Sequence, residues 1–327
     1  MAIDLVLFVC MRRDLFPTAL CNAARLGLLA TLLPASAFTA FAADPYTLFA
    51  PGMTKDSGWY DVNKKSTAST PTQDYMYCWA AVASNMIQHW QDCYVASGRE
   101  LPANIPNGKT SSRGYELGIF DTFLDNWTGS GGGDPHVGIE WYFTGNGHTF
   151  QNYAKPNSNT GGYWSSEYAS ILDDLGTGFI AEELHCYSGW EYAQGGALKE
   201  FSRLVTSYLS GGSAGIVIQS GFLHAITLWG AEVDALGIVT AVYVTDSDDA
   251  DSAGAIVSPL RKYAVSEGTG ERKINLVSTD YGTVGVTHLY GLTAYPIPEP
   301  SMFGALAGVF ALGLAATRRK LRRPRGA

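Results

Sequence analysis

"LHAITLWGAEV" (residues 223–233) and "IVTAVYVTD" (238–246) read as two neighbouring strands, linked by turn residues around Asp234-Ala235-Leu236-Gly237. A hairpin centred on Ala235 pairs positions whose numbers sum to 470, and His224 and Asp246 meet that sum. Directly opposed residues of an antiparallel pair project to one face with Cβ atoms about 4.5–5.5 Å apart. The pattern therefore predicts a strand histidine within hydrogen-bonding reach of a carboxylate.

An imidazole held by a carboxylate is half of a nucleophilic site, and the missing half is upstream. "QDYMYCWAAVASNMIQHW" (73–90) places Cys78 at the start of an apolar run, with Trp79, Ala83, Met86 and Trp90 at helical spacing. Asp74 is expected to cap the first turn. A helix N-terminus and a nearby imidazolium both stabilise a thiolate, the form of cysteine that attacks. The cysteine-to-histidine separation falls within the roughly 130–150 residues of papain-like enzymes. Against this stands the ordinary role of each residue alone. Cysteine is often buried for packing, and an aspartate ending a strand is usually a turn residue.

Around these motifs the chain alternates. "SGWYDVNKK" (57–65) reads as a short strand or turn. Residues 102–165 read as loops with a helix near Tyr115–Asn126 and a strand near Gly138–Phe143. "GGALKEFSRLVTSYLSGG" is a helix whose Leu198, Phe201, Val205 and Leu209 share a face, and "GIVIQ" (215–219) is a buried strand.

The 327 residues carry a formal net charge of −8, which argues against a nucleic-acid surface. Both ends read as addresses. Arg12 and Arg13 precede an apolar stretch closing on Ala40-Phe41-Ala42, an export signal over 1–42 whose true start is expected at Met11. At 297–327, Pro298-Glu299-Pro300 leads into an apolar helix, Met302–Ala316, and a basic cluster, Arg318–Arg323. This arrangement resembles the PEP-CTERM sorting signal of Gram-negative bacteria. The resemblance implies processing by an exosortase, at least transient engagement of the membrane by this C-terminal helix, and a final place at the cell surface or in the extracellular matrix. Setting aside the nine basic and three acidic residues of the two ends leaves the body (43–296) near −14. That body keeps three cysteines, Cys78, Cys93 and Cys186. An odd count leaves one thiol over; a Cys93–Cys186 bridge with Cys78 free is one arrangement.

"GWYDVNK" (58–64), "CWAAVASNM" (78–86) and "HAITLWGAEVDALGIVTAVYVTDSD" (224–248) together resemble the IdeS/Mac family of streptococcal IgG-degrading cysteine endopeptidases. The resemblance implies an α+β, papain-like fold, with a helix carrying the nucleophile packed against a twisted antiparallel sheet. It implies Cys78 as nucleophile, His224 as general base and acid, and Asp246 as the residue orienting His224. Asp248 would support the site from the same strand face. Lys64 would help form the oxyanion hole with the backbone N–H of Cys78. The implied activity is hydrolysis of peptide bonds in a protein substrate, immunoglobulin among the candidates, with no cofactor and no metal. Two departures stand out: Trp79 follows the nucleophile where the family has glycine, and the spacer from Lys64 to Cys78 is longer. Two other readings stay open at this point: a surface-anchored binding protein on the same fold, and an amidase or acyl transferase with the same triad.

Overall fold

The computed structural model describes residues 44–66, 72–108, 111–128, 132–146, 155–156, 160–183, 196–219, 221–248, 259–268 and 273–298. Apart from residues 297 and 298, the two end segments read as signals lie outside them, as does Cys186. In chain order the elements are β1 (Tyr46–Phe49), α1 (Cys78–Ala96), α2 (Gly118–Asn126), β2 (Trp127–Thr128), α3 (Pro135–Thr144), β3 (Lys155–Pro156), α4 (Tyr168–Leu175) and β4 (Ile180–Glu183). They continue with α5 (Ala197–Gly211), β5 (Gly212–Gln219), β6 (Leu223–Val233), β7 (Val239–Thr245), β8 (Arg261–Glu267), β9 (Ile274–Ser278) and β10 (Gly282–Thr293). This is a mixed helix and antiparallel-sheet fold of the α+β class.

The strands from β5 to β10 close on themselves. Each pairs with the next and β10 returns to β5, every pairing antiparallel. Closure leaves no open ladder within the ring. The first strand, β1, extends the β6 edge and β4 extends β10. Helix α5 touches every strand of the ring, and α1 packs on β5 and β6 with α2 and α3 against it. The Trp-Gly step of "LWGA" has a steric reason: a Cβ at Gly230 would sit 2.5 Å from the ring of Phe49, its partner on β1.

Four expectations are corrected. The run Gly138–Phe143 is helical, within α3. Pro135 opens the helix, Asp134 caps it by accepting the His136 N–H at 2.8 Å, and Gly145 closes it in the left-handed region at φ 78°. A short apolar run does not separate strand from buried helix by period alone. Helix α1 buries far more than a stripe: residues 79 to 91 are all buried, because sheet and helices enclose it. Asp74 does not cap α1. Its carboxylate accepts from the Lys65 N–H (2.7 Å), the Tyr115 hydroxyl (2.8 Å), the Thr72 hydroxyl (2.6 Å) and Ser66, fixing the loop before the helix.

The fourth concerns the hairpin. Its turn is centred on Leu236, not Ala235: Asp234 N–H donates to Ile238 O at 2.9 Å, and Gly237 takes φ +80°. Val233 pairs with Val239, then a bulge shifts the register, then a second bulge at Trp229 shifts it back, so Leu228 faces Val244 and Thr227 faces Thr245. The two bulges cancel. Extended beyond the last rung, this register sets Asp246 diagonal to His224 and on its face. One bulge alone would have turned Asp246 to the other side of the sheet.

Candidate active site

Four segments of the chain meet at the site around Cys78. It is the first residue of α1, preceded by Tyr77, and it is partly exposed. The unpaired N–H groups of the first turn give that end of the helix a partial positive charge. His224 lies one residue inside β6 and is 1% exposed. Asp246 follows the end of β7 and is fully buried. Lys64 comes from a segment with no assigned strand that is tied to the sheet. Lys64 N–H donates to Ser247 O (2.8 Å), and Tyr60 O accepts from the Trp229 indole (3.1 Å) and the Thr245 hydroxyl (3.0 Å).

The contacts form a chain. His224 Nε2 donates to Asp246 Oδ1 at 2.6 Å. That oxygen also accepts the Asp248 N–H at 3.0 Å, and Oδ2 accepts the Tyr281 hydroxyl at 2.7 Å. With Nε2 committed to Asp246, Nδ1 is the nitrogen left for the Cys78 thiol, to which His224 hydrogen-bonds. Asp248 is exposed and lies beyond the β7 strand rather than on it. Its Oδ2 is 3.7 Å from His224 Nδ1 and its Oδ1 is 2.7 Å from Lys64 Nζ. Lys64 Nζ also donates to Tyr75 O at 2.9 Å. Two of its three ammonium protons are thereby engaged.

Charge follows geometry. Burial pushes the Cys78 thiol up, but the hydrogen bond and charge of His224, the charge of Lys64 and the Ala225 N–H outweigh it, so its pKa is lowered. Burial alone would lower His224, yet the Asp246 carboxylate and the Cys78 sulfur raise it well above its ordinary value. Asp246 is pushed up by burial and pulled lower still by His224, the Asp248 N–H and Tyr281. Cys93, on the same helix, shows the contrast. It is a free, buried thiol 3.4 Å from His89 Nε2, and burial with the Asp92 charge pushes it up to about 12. The arrangement at Cys78 favours a thiolate–imidazolium pair, which is the chemistry of nucleophilic acyl transfer.

All five residues singled out in the sequence, Cys78, His224, Asp246, Asp248 and Lys64, are brought together. Sequence reasoning missed two supports. Asn85 joins three parts of the site: its side chain accepts the Val62 N–H at 3.2 Å and donates to the Thr227 hydroxyl at 2.9 Å. Tyr281 arrives from the β9–β10 turn, and no local pattern marks it.

A protein-family model described as Mac 1 matches residues 37–99 and 191–290. The IgM protease of Streptococcus suis (strain P1/7) is 27% identical over 216 residues, covering 59% of this chain and 18% of that protein. These matches support the IdeS/Mac family. The chain therefore spans under a fifth of the length of this relative. The two Mac-matched blocks contain Lys64, Cys78 and Asn85 in the first, and His224, Asp246, Asp248 and Tyr281 in the second. The helices α2, α3 and α4 fall between the blocks.

Proposed function

We propose that this chain is an exported cysteine endopeptidase of the IdeS/Mac type with a papain-like arrangement. Cys78, His224 and Asp246 form the triad, and Lys64 and Asp248 serve the oxyanion site. The observation that carries the reading is the 2.6 Å bond from His224 to a fully buried Asp246, with the imidazole turned to a thiol at a helix start. The Cys78 thiolate attacks the scissile carbonyl carbon and forms a C–S bond. The tetrahedral oxyanion is met by the Cys78 backbone N–H, which at a helix's first residue has no intrahelical acceptor, and by the remaining Lys64 ammonium proton. His224 gives its Nδ1 proton to the leaving amine as the C–N bond breaks. It then takes a proton from the water that hydrolyses the thioester.

A peptide substrate suits the rim. Tyr75, Met76, Phe222 and Leu223 are among the exposed large apolar side chains of the described residues, and all stand within three residues of Cys78 or His224. The relative's name makes immunoglobulin the first protein to screen. On this reading residues 1–42 are the export signal, and 297–327 are a sorting signal handled by an exosortase-type enzyme, its apolar helix engaging the membrane. The product lies at the cell surface or in the matrix of a Gram-negative bacterium. Among the described residues no helix is long and apolar enough to cross a membrane; the 302–316 segment lies outside them.

The test is a screen of protein substrates, immunoglobulins included, with the mature body and its Cys78→Ala variant. Cleavage by the first and none by the second is expected. Equal cleavage by both would sink the assignment.

A further inference from the structure

The geometry points to Tyr281 as a positioning residue of the triad, one that fixes the Asp246 carboxylate and through it the plane of the imidazole serving Cys78. The inference rests on the reading of the site as a cysteine-peptidase centre.

Asp246 needs such a partner because no strand holds it. The β6–β7 ladder ends at Thr227–Thr245, so Asp246 begins the loop that follows. Its Oδ1 carries two bonds, from His224 and from the Asp248 N–H. The second torsion of an aspartate is broad, so a carboxylate held through one oxygen still swings. The Tyr281 hydroxyl takes the other oxygen at 2.7 Å. With donors on both oxygens, rotation would break one bond or the other.

The phenol is itself well anchored. It sits in a tight turn in which Ser278 pairs with Gly282, the Tyr281 N–H donates to Ser278 Oγ at 2.9 Å, and Gly282 takes φ +66°. A left-handed residue at this point suits the short hairpin loop. The Tyr281 ring lies 5.8 Å from the His224 ring, tilted by 52°, and covers part of the imidazole. Burial and the Asp246 charge push the phenol up, so it stays a donor at any working pH.

Among the described residues the charged and titratable neighbours are few. Asp246, Asp248 and Tyr263 act on Tyr281, and Asp246 and Cys78 act on His224, with Asp248 at 3.7 Å. Lys64 acts on Cys78. Asp280, next to Tyr281, is engaged by Arg261 at 3.5 Å and Tyr263 at 3.3 Å.

The experiment measures the pH dependence of Cys78 alkylation by iodoacetamide in wild type, Tyr281→Phe, Tyr281→Leu, His224→Ala and, as a control, Tyr243→Phe. The control removes a hydroxyl that donates to Glu232 on the surface. Tyr281→Phe keeps the ring and loses only the donor. Its acid limb is expected to move up by about one pH unit, which is about a tenfold loss of labelling rate on that limb. Tyr281→Leu should move it further and Tyr243→Phe not at all, with melting temperatures of Tyr281→Phe and wild type alike. A Tyr281→Phe profile that overlays wild type, while His224→Ala is shifted, overturns the inference and leaves the proposed function standing. Wild type and His224→Ala profiles that coincide near the free-thiol range overturn both.

Discussion

Lys64 and Asp248 form an ion pair at 2.7 Å, and the other Asp248 oxygen stands 3.7 Å from His224 Nδ1. The lysine is nearly covered while the aspartate is open to solvent. One exposed carboxylate thus joins Lys64 to the imidazole. The Lys64 side chain cannot swing freely, because Tyr75 O holds the same ammonium.

That double hold makes Lys64→Met informative. If the remaining ammonium proton meets the oxyanion, substrate turnover should fall by roughly 10²–10³, the range for loss of one oxyanion donor. The thiolate should suffer less, since His224 outranks Lys64 in lowering Cys78. Steady-state cleavage and iodoacetamide labelling measured on the same variant separate the two effects. A parallel loss in both would assign Lys64 to thiolate stabilisation alone.

The pH behaviour follows from the signs of the shifts. Cys78 is lowered, so its thiolate persists below the ordinary thiol value; His224 is raised, so its imidazolium persists above the ordinary imidazole value. The reactive pair therefore exists between the two shifted values. Labelling of Cys78 should persist on the acid side of the ordinary thiol range, and His224→Ala should abolish that reactivity. Peptide mapping should find Cys93 unlabelled, because its buried thiol stays protonated.

Asp74→Asn tests the loop that carries Lys64. Burial pushes the Asp74 carboxyl up, but bonds from Ser66, Thr72, the Lys65 N–H and Tyr115 bring it below its ordinary value. A depressed carboxylate contributes stability above the unfolded value of about 3.9, and that contribution is lost as pH falls through the folded value. The substitution should cost about 1–3 kcal/mol at pH 7. The difference in melting temperature from wild type should close as pH drops below the ordinary carboxylate range. A constant difference across pH would mean that charge is not what Asp74 supplies.

Gly138→Ala probes the packing behind the nucleophile. A Cβ there would lie 2.7 Å from the Trp79 ring and 3.2 Å from Phe123, both fully buried. Alanine favours the helix by up to ~1 kcal/mol. Overpacking should exceed this and leave a net loss of about 1–2 kcal/mol in denaturant unfolding. Trp79 follows Cys78, so the labelling rate should fall with it. A stabilised variant would show that Trp79 has room to move.

Much of the site was legible in the chain. Cysteine at the head of an apolar helical run, histidine at the head of a strand and two aspartates after the next strand are local patterns. Local patterns determine local structure: β6 has the bounds read from its residues, and β7 and α5 lie close to theirs. What only the tertiary structure decided is relative placement. The His224–Asp246 contact survives because the two bulges between β6 and β7 cancel in register. The run 138–143 became a helix because Asp134, Pro135 and Gly145 set its ends. Asp74 was drawn from a capping role by Lys65 and Tyr115. Tyr281 reaches Asp246 across 35 positions of chain. No spacing rule spans that distance, because it takes the antiparallel pairing of β7 with β8 and of β8 with β9 to bring the β9–β10 turn beside the end of β7.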